Sequence, residues 1–143
     1  MSQDIRWLQR FENFKKALKK LAGVANDRDF ESLSELEIEG LIQRFEYTYE
    51  LAWKTLQDLL RAKGYDIAGP SPVIEQAFQD GYIKDGENWK KMKKSRELTS
   101  HVYDESTAME IAKDTVKIYY PLFCELEKRL AQEHSSSQTS LFD

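Results

Sequence analysis

Apolar side chains recur every third or fourth residue through most of this chain. Over residues 4 to about 22, Trp7, Leu8, Phe11, Phe14, Leu18 and Leu21 are separated by lysines and arginines. That spacing places the apolar set on one stripe of a 3.6-residue repeat and predicts an amphipathic helix. A polar connector follows. Ser34 with Glu37 three residues on then has the form of a capping box, which opens a second helix through Leu36, Ile38, Leu41, Ile42, Phe45, Tyr49, Trp53, Leu56, Leu59 and Leu60 to a stop at Gly64. At 1.5 Å per residue this helix is roughly 40 Å long, the length of a bundle backbone.

Beyond Gly69 the pattern predicts a short helix over Val73–Gln79, with Ser71 as its cap, Pro72 in its first turn and Gly81 closing it. Asp85 is placed to cap a further helix that carries Trp89 and Met92 and ends between Leu98 and Tyr103. A box from Thr107 to Glu110 opens a last long helix through Leu130, with Pro121 inside it as the expected point of bending. No stretch alternates in the manner of a strand, and no period repeats. The fold class expected is all-α: an antiparallel up-and-down helical bundle of three long helices plus one or two short ones. It forms one domain over residues 1–133, with a flexible tail over 134–143.

Composition narrows the class without changing it. The chain has 143 residues, 41% of them apolar and 32% charged, and only six glycines. That is the size of one domain with one core. No run of about 18 apolar residues and no signal-peptide pattern is present, so a cytoplasmic protein that makes no membrane contact is expected. The single cysteine, Cys124, sits in an apolar stretch and reads as a core thiol. The net charge of −4 hides a contrast: residues 84–96 carry +4 and the rest of the chain −8. Such a balance argues against sequence-specific DNA binding and for a local site that meets phosphate.

The glycines are scattered with no phosphate-loop grouping, and the best metal-ligand spacing is the lone pair His101 and Glu105, so neither a cofactor nor a metal is expected. The segment with most chemistry is KKMKKSRELTSHVYD: Lys90, Lys91, Lys93 and Lys94, then Arg96, His101 and Tyr103. One reading is a solvated basic helix face ended by a histidine that satisfies the terminus. The other is phosphodiester cleavage without metal, in which a guanidinium holds the phosphate and an imidazole moves the proton. Five residues of unbroken helix would leave Arg96 and His101 about 140° apart, so the second reading needs a distorted helix or a second protomer. Glu46, Tyr47, Tyr49, Glu50 and Trp53 form another candidate surface for a nucleotide or a partner, although Tyr49 and Trp53 also continue the core periodicity.

In an all-α chain, the order of Arg96, His101 and Tyr103 resembles the HEPN superfamily (higher-eukaryote-and-prokaryote nucleotide-binding domains). Within it, the chain is most similar to the nucleotidyltransferase substrate-binding proteins. YELAWKTLQDLL, PSPVIEQAF, the Trp89–Met92 stretch and HVYDE carry the likeness over nearly the whole chain. The resemblance implies a homodimer that partners a minimal nucleotidyltransferase encoded nearby. It also implies an endoribonuclease toxin whose composite site uses Arg96 and His101, and an AMP acceptor at Tyr103 through which the transferase silences it. RNA or a nucleotide is the implied ligand. A non-catalytic substrate-binding subunit is the alternative. Glu97 departs from the family pattern, where Asn, Asp or His commonly follows the arginine.

Overall fold

The computed structural model of the chain describes residues 2–26, 29–101 and 104–142. Its elements are α1 (Ser2–Ala25), a 3₁₀ turn (Phe30–Ser32), α2 (Glu35–Ala62), α3 (Pro70–Gln79), α4 (Gly86–Thr99), α5 (Glu105–Asp114), a π-helical turn (Thr115–Tyr119) and α6 (Tyr120–Phe142). Among the described residues there is no strand.

Side-chain contacts give the helix directions. Arg10 of α1 reaches Asp58 of α2, while Arg44 of α2 donates to the Lys20 carbonyl, so these two helices are antiparallel. Phe14 meets Phe123 and Trp7 meets His134, which sets α6 against α1 in the same way. Trp89 of α4 lies edge-on to Phe123, and Ser95 bonds Tyr119, so α4 also runs against α6. The expected up-and-down bundle is therefore found. Its centre is aromatic: Phe45 stacks on Tyr119 with centroids 5.1 Å apart, and Phe14, Phe45, Trp89, Tyr119 and Phe123 are all fully buried. Burial of such a ring contributes roughly 1.5–3 kcal/mol.

Several boundaries differ from the sequence expectation, each for a local reason. The Ser34–Glu37 box forms as expected, with Glu37 N 3.1 Å from Ser34 Oγ. At the other end of α2, Gly64 takes φ 104° and Tyr65 N returns to the Leu60 carbonyl, which closes the helix. Ser71, however, is not the cap of α3. Gly69 is, at φ 89°, with Pro70 as the first helical residue. The Gln57 side chain accepts from Gly69 N at 2.9 Å, a tertiary contact that local sequence does not display.

Likewise α5 is capped by Asp104, whose carboxylate accepts from Thr107 N at 2.7 Å, so Thr107 lies inside the helix rather than at its start. The irregularity expected at Pro121 is the π turn immediately before it. Proline lacks an N–H and crowds the carbonyl four residues back, here Lys117 in the π turn. Residues 134–142, expected as a tail without helix, continue α6 to Phe142. The His134 ring meets Trp7 edge-on at 6.3 Å, and serine and glutamine cost a helix little once it is under way.

Candidate functional site

The rotation of α4 decides what the basic segment can do. Asp85 caps the helix through Asn88 N at 3.1 Å, and buried Trp89, Met92 and Ser95 define its inner face. Ser95 Oγ lies 2.7 Å from Tyr119 Oη on the π turn, a buried hydroxyl pair that pins the last turns of α4. Arg96, the next residue, is thereby aimed at α2. Three-quarters of its side chain is buried, with Nη1 3.2 Å from Glu46 Oε2 and Nε 3.3 Å from Glu50 Oε1.

Other side chains hold this pair of carboxylates. Thr99 Oγ1 lies 3.0 Å from Glu46 Oε2 and 3.3 Å from Arg96 Nη1. Trp53 Nε1 donates to Glu50 Oε2 at 3.1 Å, and Lys54 approaches the same oxygen at 3.8 Å. Glu50 thus uses one oxygen for Trp53 and the other for Arg96. The two groups that the sequence presented as separate surfaces, one on α2 and one on α4, are a single cluster.

Two buried side-chain polar atoms lack a hydrogen bond among the described residues, Tyr49 Oη and Arg96 Nε, and both belong to this cluster. The Nε contact to Glu50 is therefore an ion pair of poor hydrogen-bond geometry. Burial, and then the charges of Glu50 and Glu97, push the Tyr49 phenol well above its ordinary pKa, so it stays protonated as a neutral donor. Unsatisfied buried polar groups are rare in folded proteins and concentrate where a ligand or a rearrangement is expected.

The four lysines do not share a face. Lys91 pairs with Asp114 at 3.3 Å on the α5 side. Lys90, Lys93 and Lys94 line a groove of ≈ 330 Å³ against Ser71, Ile74 and Glu75 of α3. Lys93 also pairs with Glu97, one turn on, so the carboxylate that departs from the family pattern is partly neutralised by its own helix.

His101 lies two residues past the end of α4, exposed, with its N–H returned to the Leu98 carbonyl at 3.3 Å. The helix-wheel separation from Arg96 therefore does not apply, because the helix stops at Thr99. Tyr103 lies outside the described residues. Cys124 is half-buried beside the core, with its thiol pushed up by burial. Among the described residues no three His, Cys, Asp or Glu side chains group as metal ligands, and no helix is long and apolar enough to cross a membrane.

Comparison with known proteins agrees with this architecture. Over 79 residues the chain is 33% identical to a probable ribonuclease HepT of Haemophilus influenzae, a match covering 52% of this chain and 54% of that protein. The chain thus spans about half the length of that relative. A crystal structure of a protein from Thermus thermophilus superposes with a TM-score of 0.73 at 36% identity, covering 82% of this chain and 98% of that one. The family model described as nucleotidyltransferase substrate binding protein like matches residues 9–132, which take in α2, α4 and the whole Arg96 cluster. With fold and family model in agreement, the chain belongs to the nucleotidyltransferase substrate binding protein like family, of HEPN type.

Proposed function

We propose that this protein is the HEPN-type partner of a minimal nucleotidyltransferase and a metal-independent endoribonuclease of toxin type. The observation that carries the reading is an oriented guanidinium just inside the end of α4, with an exposed imidazole just outside it. Arg96 stabilises charge on the phosphate in flight, and His101 exchanges the proton of the attacking 2′-hydroxyl or the leaving oxygen. Lys90, Lys93 and Lys94 raise the local concentration of RNA. Two protomers together supply two copies of each catalytic group. The names of the relatives support this reading, one being a probable ribonuclease and the family model naming a transferase.

Control belongs to Tyr103. Its phenolic oxygen attacks the α-phosphate of ATP on the partner transferase, releasing pyrophosphate and a proton. The attached AMP then places a phosphate among the donors that RNA needs. The decisive experiment incubates the purified protein with RNA in EDTA. Fragments with 2′,3′-cyclic phosphate ends are expected, lost in both Arg96→Ala and His101→Ala. Tight RNA or nucleotide binding without cleavage would replace this reading with a substrate-binding subunit. Intact mass after co-expression with the transferase should show AMP that is absent in Tyr103→Phe.

A further inference from the structure

The resting partners of Arg96 are carboxylates, and they are not equivalent. Glu50 is anchored: Trp53 holds Oε2 while Oε1 faces Nε. Glu46 presents Oε2 alone to both Thr99 and Arg96 Nη1, and its hydrogen-bond donor among the described residues, the Thr99 hydroxyl at 3.0 Å, has a second acceptor in the Arg96 carbonyl at 2.8 Å, whereas the Trp53 indole N–H serves Glu50 alone. Two carboxylates face one guanidinium, and Lys54 at 3.8 Å from Glu50 Oε2 brings the cluster only to neutrality, so Arg96 has no uncompensated charge to offer an arriving phosphodiester unless one carboxylate withdraws. The orphaned Nε and the orphaned Tyr49 hydroxyl show that the resting arrangement does not use all of its donors.

Resting on the ribonuclease reading above, we infer that Glu46 is the carboxylate an RNA phosphate replaces on Arg96, while Glu50, anchored by Trp53, is the positioning residue that keeps the guanidinium in place during the exchange. Glu46 and Glu50 are a quarter and a third exposed, so either could reach water, and it is the dedicated Trp53 bond that keeps Glu50 in place and leaves Glu46 to swing out. A carboxylate and a phosphate oxygen ask the same of the guanidinium fork, which makes the exchange one of like for like. Arg96 is thus ordered before substrate arrives and is not available to other anions of lower affinity.

The test measures binding of a short mixed-sequence RNA with 2′-O-methyl riboses, which cannot be cleaved, by fluorescence anisotropy. Glu46→Gln keeps the shape and an acceptor for Thr99 but removes the charge, and should tighten binding roughly two- to five-fold. The gain must vanish in Glu46→Gln/Arg96→Gln and must exceed that of Glu35→Gln, an exposed carboxylate at the far end of α2. Thermal melting checks that each variant is folded, and Arg96→Lys, which keeps the charge and loses the fork, replaces the glutamine if it is not. No gain, a gain independent of Arg96, or one matched by Glu35→Gln overturns the inference. In cleavage, Trp53→Phe should lower kcat roughly ten-fold with KM unchanged, because a loosened Glu50 misplaces the arginine. A rise in KM alone overturns the positioning role. Failure of the wild type to cleave would sink the ribonuclease reading while the binding comparison still decides the exchange.

Discussion

Arg10 and Asp58 form a lopsided pair: the carboxylate is 2% exposed and the guanidinium 33%, with 3.0 Å between Nε and Oδ2. Removal of either partner therefore has different consequences. Arg10→Ala leaves a charge buried in the α1–α2 interface and should cost about 3 kcal/mol. Asp58→Asn leaves an arginine that turns into water and should cost about 1 kcal/mol. Urea denaturation of the two variants, read as a difference in midpoint at equal slope, checks the order. The same logic marks what could be read of the site from residues alone. Arg96 and His101 are recognisable by type and spacing, and Glu46, Glu50 and Trp53 by their faces on one helix. Their meeting is not readable, because a helix wheel gives directions within an element and not which wheels face each other. Tyr49 shows the limit most clearly: its periodicity places it in the core, but only the packed structure reveals that its hydroxyl has no partner among the described residues.

At the scale of elements, three pieces of chain are tied at one carboxylate. Glu133 of α6 takes Lys63, at the end of α2, at 2.7 Å, Tyr82 before α4 at 3.2 Å and Arg129 at 3.4 Å. Burial pushes the Glu133 carboxyl up, but Lys63, Tyr82 and Arg129 together hold it below its ordinary value of 4.5. A depressed folded pKa means that the unfolded chain takes up the proton first, so the stabilisation is complete above the unfolded value and fades as pH falls through the folded one. Wild type should therefore exceed Glu133→Gln in urea midpoint at pH 7, and the gap should narrow on acidification below about 4.5. Helix ends were legible at the local caps Ser34 and Asp85, were displaced at α5, where the Thr107–Glu110 box competes with the local cap Asp104, and were not legible where the cap is tertiary. Gly69 caps α3 with its N–H on a glutamine twelve residues earlier, so the nearby serine and proline point two residues too late.

For the whole molecule, the proposed site has one arginine and one histidine per chain, and its completion calls for a second copy. Leu36 and Tyr47, 76% and 59% exposed, are eleven residues apart and so lie on one face of α2, next to Glu46. A face of this kind fits pairing between copies beside the cluster. Sedimentation at micromolar concentration should give the mass of two chains. Tyr47→Glu should shift it toward one chain and reduce cleavage per chain, and a single-chain mass for the wild type would refute the pairing. The bundle also has a fixed arithmetic of insertion. A π turn is an α-helix with one residue added, and at Thr115–Tyr119 the wider winding takes up that residue within the turn. Because five residues of π winding turn the chain about as far as four of α, deleting Val116 would yield a helix of ordinary winding that leaves Tyr119 and Phe123 nearly in phase with α5, facing Ser95 and Trp89 as before. The variant should therefore keep cooperative thermal unfolding, and deleting Leu126 from the regular part of α6, which does shift every later residue by about 100°, should abolish it. Lineages of this fold can then be expected to gain and lose residues in the connector between α1 and α2 and a single residue at the π turn, and to keep the regular part of the last helix free of insertions and deletions.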